Sequence, residues 1–170
     1  VVKPENVERL VPKIAEYANS QNKVSAADLF SNHPYHVRIE EISRRLFAPA
    51  KPGSAVQTQW FYERARGQYV DSQAYKREGE RKLFAKQSPR DQLITKTDLG
   101  KFENSWISLP YEVSKGAQAN FQKFAERISK LWEKNDAFFG EAYFKKCVVH
   151  ALIFRALEKQ VLKQPWYDGY

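Results

Sequence analysis

The sequence predicts a mainly α-helical fold with at most one or two short strands. Three observations carry that expectation. Apolar residues recur at three- and four-residue intervals over most of the chain. Prolines and short polar clusters cut these periodic stretches into helix-length pieces. Thr58 to Tyr62 has the strand-like composition of one short strand.

The first expected helix opens at Pro4 with Glu5 and Glu8 in its early turns, which suits a helix N-terminus. Its apolar stripe is Val7, Leu10, Val11, Ile14, Ala15 and Ala18, and Pro12 should kink or split it. Asn19 to Lys23 breaks the pattern. Ser25 with Asp28 then resembles a capping box for a short helix through Phe30. Asn32-His33-Pro34 starts another, with Val37, Ile42, Leu46 and Phe47 as the expected stripe and Arg38, Arg44 and Arg45 off it.

Two prolines and a glycine make Ala48 to Ser54 a loop. A helix is expected from about Glu63 to Tyr75 and another over Glu78 to Ala85, ended by Ser88-Pro89. Thr97 is the expected N-cap of a helix over Asp98 to Trp106, with Pro110 closing that region. Ser114 is the expected cap of a long helix carrying Phe121, Phe124, Ile128, Leu131 and Trp132, broken at Asn135-Asp136. The last helix runs through Tyr143, Phe144, Val148, Leu152 and Val161 to a stop at Pro165.

At 170 residues, 42% of them hydrophobic, the chain can bury a sizeable core, so a single helical domain over 1–170 is expected, with 1–50 and 55–170 as possible sub-parts. It has no Met and opens on Val1-Val2-Lys3-Pro4, which reads as a piece excised from a longer protein. Lys and Arg number 28 against 20 Asp and Glu, a net charge of +8 that favours phosphate-rich partners. Solubility alone is the plainer explanation. The single cysteine, Cys147, excludes an internal disulfide and points to a reducing cytoplasm. No apolar run is long enough to span a membrane, and no secretory leader is present.

Motifs for nucleotide-binding loops, zinc proteases, serine hydrolases and Cys-x-x-Cys chemistry are absent. Glu80-Arg81-Lys82 matches half of a metal-dependent nuclease motif, but the surrounding sequence reads as helix. His33 and His36 lack a third ligand, so capping and packing explain them better than a metal, and none is expected. His150 lies on an apolar stripe as a satisfied core histidine. Residues 25–47 and 94–102 have the outline of helix-turn-helix units, although helix packing accounts for both.

Two constellations are candidate binding sites. One is the amide cluster Asn19, Gln21 and Asn22 with Lys23, whose side chains both donate and accept. The other is Trp60-Phe61-Tyr62-Glu63-Arg64-Ala65-Arg66-Gly67-Gln68-Tyr69, in which aromatic rings and arginines share one neighbourhood. Its candidates are Tyr62, Arg64, Arg66, Gln68 and Tyr69. Arginine stacks on rings and forks onto phosphate or carboxylate, so the string is either an anion grip or a polar joint. On a helix, Arg66 would sit among the tyrosines, with Arg64 on the opposite side, paired with a carboxylate or free for phosphate.

Four strings taken together, Tyr17 to Val24, Ala27 to Pro34, Trp60 to Tyr69 and Thr95 to Leu99, resemble the AIPR family of bacterial proteins, named for abortive infection and phage resistance. The resemblance extends to Gln164-Pro165-Trp166-Tyr167. It implies a helical module of a phage-defence protein that contributes to nucleic-acid or nucleotide binding. Family members carry an upstream Asn-Gly-Gly-Gln-Thr string, absent here, that is similar to a motif of ParB-like folds. The resemblance makes Asn19 to Val24 the segment following that part, facing a cleft shared with the upstream domain. Two alternatives stand beside it: part of a nuclease or nucleotide hydrolase whose site lies mostly upstream, and a structural interaction scaffold. No cofactor is indicated.

Overall fold

A computed structural model describes residues 30–48, 50, 52–107, 109–113 and 115–163. The expected helices before Phe30, the Ser25–Asp28 capping box and the amide cluster Asn19, Gln21, Asn22 and Lys23 lie outside the described residues. The rest is mainly α, as the periodicity predicts. In chain order it comprises α1 (Pro34–Arg45), β1 (Phe47–Ala48), β2 (Thr58–Gln59), β3 (Phe61–Glu63), α2 (Gln68–Ala74), α3 (Glu78–Gln87), a 3-10 turn (Arg90–Gln92), β4 (Leu93–Thr95), α4 (Lys96–Trp106), α5 (Pro110–Val113), α6 (Ala117–Asn135), a 3-10 turn (Asp136–Phe138), α7 (Glu141–Leu157) and a π-helical turn (Glu158–Leu162).

α1 starts where Asn32-His33-Pro34 places it. His33 caps it, its Nδ1 accepting from the Tyr35 N–H at 3.2 Å. The buried face differs from the expected stripe: Tyr35, His36, Ile39, Ile42 and Ser43 point inward, while Val37 and Phe47 are exposed. Sequence periodicity missed it because the inward face mixes aromatic, imidazole and hydroxyl groups with aliphatic ones.

The expected strand Thr58 to Tyr62 is two strands in two small sheets. β2 pairs antiparallel with β1, and β3 pairs parallel with β4 in the register Phe61–Leu93, Tyr62–Ile94, Glu63–Thr95. A parallel pair needs a crossover connection, and α2 and α3 supply it. The helix expected from Glu63 begins only at Gln68. Glu63 is held in the sheet, and Gly67, at φ +85°, turns the chain in a conformation side chains disfavour.

Three further caps move. Thr95, not Thr97, caps α4: its hydroxyl accepts from the Asp98 N–H at 3.1 Å, and pairing with β3 ends at the same residue. Pro110 opens α5 rather than closing the region. α6 starts at Ala117 behind Gly116, not behind Ser114.

The core gathers Tyr35, Ile39, Ile42, Tyr62, Ile94, Leu99, Phe102, Phe121, Phe124, Ile128, Phe139, Tyr143, Phe144, Cys147, Ala151 and Phe154. α4 crosses α6 closely, because a Cβ on Gly100 would stand 3.3 Å from the Phe124 ring. Between α4 and α7 the core encloses a carboxylate. Glu103 is wholly buried; its Oε1 accepts from His150 Nδ1 at 2.7 Å and its Oε2 from Lys146 Nζ at 3.0 Å and the Tyr143 hydroxyl at 3.4 Å. His150 is thus the satisfied histidine the sequence suggested, and it also stacks on Trp106. Cys147 is buried, and desolvation raises its thiol pKa well above normal, which suppresses thiolate chemistry.

Candidate functional site

The aromatic–arginine string folds into a strand, a turn and the start of a helix that fasten one another. The Glu63 carboxylate accepts from the backbone N–H groups of Gly67 (3.2 Å) and Tyr69 (3.0 Å), capping α2 from a distance. Gln68 Oε1 returns the contact, accepting from the Arg64 N–H at 3.1 Å. The two tyrosines part company. Tyr62 is wholly buried, and its hydroxyl bonds His36 Nδ1 on α1. Tyr69 points into the crossover, donating to the Ser88 carbonyl at 2.7 Å and meeting Phe61 edge-on. The helical stripe expected for Tyr62 and Tyr69 does not exist, because residues 63–67 are not helical.

Arg64 has the carboxylate partner the sequence allowed. Its Nε donates to Glu40 Oε2 at 2.6 Å and its Nη1 to the Ser31 carbonyl (3.1 Å) and Asn32 Oδ1 (2.9 Å). Glu40 also accepts from Gln68 Nε2 and lies 3.5 Å from Arg44 Nη2. Arg44, missed as a member of this cluster, donates to the Tyr62 carbonyl at 3.0 Å and covers the Phe61 ring at 3.4 Å. Glu40, equally missed, is its hub. Neither stood out because each is an ordinary charged helix residue until β3 arrives beside it.

Arg66 does not sit among tyrosines. It is exposed and makes no hydrogen bond or ion pair among the described residues. Arg64 and Arg66 do have different roles, but the reasons are the turn and its fasteners rather than helical spacing. Arg64→Lys should destabilise the fold by about 2 kcal/mol, since an ammonium cannot hold three acceptors fixed in a fork. Arg66→Ala should stay within about 0.5 kcal/mol of the parent. Thermal melting of the two variants side by side checks both, and a reversed order would refute the assignment.

The string is therefore a joint between α1 and the sheet, and the exposed chemistry lies beyond it, on the crossover. Residues 64–90 hold eight Lys and Arg against three Asp and Glu, so five of the chain's eight net positive charges fall within 27 residues. α3 has no buried residue. It is held mainly by Phe84, packed on Phe61 and Tyr69, and by Arg81. Arg81 Nε donates to the carbonyls of Gln73 (3.1 Å) and Lys76 (2.9 Å), and its Nη2 to that of Ala74 (3.2 Å), closing the C-terminus of α2. Arg66, Arg77 and Lys86 make no ion pair among the described residues. Between α2 and α3 opens a groove of about 550 Å³. Tyr69, Val70, Gln73, Ala74, Ala85 and Pro89 form its sides, with Arg81 and Arg90 among them and no carboxylate. Tyr75, directly after Ala74, is fully exposed.

The other candidate chemistry stays dispersed. Among the described residues no group of three His, Cys, Asp or Glu is placed to hold a metal ion. Glu80 accepts from the Arg77 N–H at 2.8 Å, as a helix cap would. The helix-turn-helix outline at 94–102 is a strand followed by α4, which buries Lys96, Leu99, Phe102 and Glu103 instead of presenting a reading face. No helix among the described residues is long and apolar enough to cross a membrane.

Comparison with curated proteins and with solved structures finds no match. A family model described as AIPR protein matches residues 1–170, the whole chain.

Proposed function

The chain belongs to the AIPR family, and we propose that it is a nucleic-acid-binding module of a phage-defence protein, gripping its partner through the α2–α3 crossover. The observation that carries this reading is the concentration of cations on an element the core hardly uses. Five of eight net charges occupy a connection whose second helix buries nothing completely. Charges kept only for solubility would be spread over the surface. The family's association with phage defence makes nucleic acid the natural polyanion.

This reading moves the binding surface. Tyr62, Arg64 and Gln68 are consumed by the joint and support the crossover from behind. Arg66, at the edge of the turn, remains a contact residue. The nuclease alternative finds no support in the two glutamates of the crossover, since Glu78 pairs with Lys82 at 2.6 Å and Glu80 caps α3.

A salt titration tests the proposal. Binding of short nucleic acids should weaken linearly in log–log form, with a slope of roughly −2 to −4 for three to five phosphate contacts. The double reversal Lys82→Glu, Lys86→Glu should flatten the slope and weaken binding at least tenfold at 50 mM salt. An absence of binding to duplex DNA, single-stranded DNA and RNA alike at that salt would sink the proposal.

A further inference from the structure

Resting on that nucleic-acid reading, we infer that the groove between α2 and α3 takes a base from a single-stranded nucleic acid, with Tyr75 stacking the neighbouring base. Three observations converge. The groove, about 550 Å³, is open to solvent and roomy enough to admit a base together with its sugar and phosphate. Its sides are apolar where Val70, Ala74, Ala85 and Pro89 meet, and cationic where Arg81 and Arg90 stand. That division matches a nucleotide unit, whose flat ring is poorly hydrated and whose phosphate is anionic. Among the described residues no carboxylate lines the groove, so its wall carries no like charge against the phosphate.

Arg81 is fixed rather than free. Its bonds to the Gln73, Ala74 and Lys76 carbonyls hold the guanidinium at the groove, while Nη1 makes no bond among the described residues. A guanidinium already fixed in place loses little freedom when its Nη1 meets a phosphate oxygen. Arg90, which also lines the groove, lies 5.9 Å from the Tyr69 ring.

Tyr75 makes the choice between single strand and duplex. A fully exposed tyrosine in a polar turn gains nothing from the fold. Flanked by Ala74 of the groove and by Lys76 and Arg77, it offers a ring face amid positive charge, the combination that holds unpaired bases without regard to sequence. Bases inside a duplex are already stacked and paired, so they cannot reach either surface.

The test is fluorescence polarisation of the 170-residue chain with labelled thymidine 15-mer, uridine 15-mer and a 15-base-pair duplex, with inorganic polyphosphate as a charge-only competitor. The single strands should bind at least tenfold tighter than the duplex, and polyphosphate should compete poorly. Comparison of the thymidine and uridine oligomers distinguishes DNA from RNA as the source. Tyr75→Ala, and Ala85→Trp, which fills the groove without changing charge, should each cost single-strand affinity about tenfold. Both positions are exposed, so melting temperatures should stay near the parent's. Equal affinity for duplex and single strand, or unchanged single-strand binding in both variants, overturns this inference while leaving the nucleic-acid reading in place. No binding of any polyanion overturns both.

Discussion

Replacing Glu103 with alanine is expected to destabilise the fold by about 3 kcal/mol, a fall in melting temperature of roughly 6–12 °C for a chain of this size. The wholly buried Glu103 carboxylate joins α4 to α7 by accepting from His150, Lys146 and Tyr143. Tyr143 in turn shares a 3.0 Å hydroxyl contact with Tyr35 on α1. Alanine removes the shared acceptor and leaves a void. Lys146, 38% exposed, can swing to water, but Tyr143 cannot. The loss should therefore fall short of that for a fully enclosed ion pair. Lys146→Ala should cost about 1 kcal/mol or less, because its head is already partly solvated. Chemical denaturation of both variants at low and at 0.5 M salt provides the check. The Glu103→Ala loss should persist at high salt, since burial shields this contact from screening. A loss below about 1 kcal/mol would show that the network is dispensable.

Such a carboxylate marks the limit of what the sequence discloses. Glu103 sits on a helix whose spacing was legible, yet nothing local distinguishes it from Glu126, an exposed residue pairing with Lys123. Only the crossing of α4 and α7 buries one and not the other. Helices with a strong apolar period, such as α6, were readable because burial follows spacing. The caps were readable in type but not in position. Thr95 and Thr97 are both good caps, and the choice fell to Thr95 because strand pairing with β3 ends there. The string from Trp60 to Tyr69 was recognisable as unusual, but its helical reading failed at Gly67, whose positive φ follows from a parallel strand pair whose two strands lie 32 residues apart in the chain. Glu40 and Arg44 became members of the joint for the same reason: their partner arrives from a distant part of the chain.

Acidification from pH 7 to pH 5 is expected to remove about 2 kcal/mol of stability through His36 alone. The imidazole is wholly buried. Its Nδ1 bonds the Tyr62 hydroxyl, and Nε2 has no hydrogen-bond partner among the described residues. Phe30 and Tyr35 meet the ring edge-on, and Phe121 stacks against it. A second proton would place an uncompensated charge in that apolar setting, and Lys96, His33 and Arg64 add positive potential. Desolvation first, and then these cations, lower its pKa from 6.5 to about 3. The sign follows from proton counting. Between about pH 6.5 and pH 3 the unfolded chain binds a proton at this histidine and the folded chain does not, so stability falls as pH falls through that window. His33, half-buried at the cap of α1, is also lowered, chiefly by desolvation, and contributes with the same sign. Asp136, whose pKa is held down mainly by its bond from Arg38, loses its contribution as pH falls from the ordinary aspartate range downward, which leaves the interval from pH 7 to pH 5 untouched. His36→Gln separates the terms: an amide can still bond the Tyr62 hydroxyl but does not titrate. Urea unfolding at pH 7, 6 and 5 should show the parent losing stability more steeply than the variant, by up to about 1.4 kcal/mol per pH unit near pH 5. Parallel pH profiles would mean that His36 takes up its proton inside the folded core, and the buried, neutral imidazole described for this joint would be wrong.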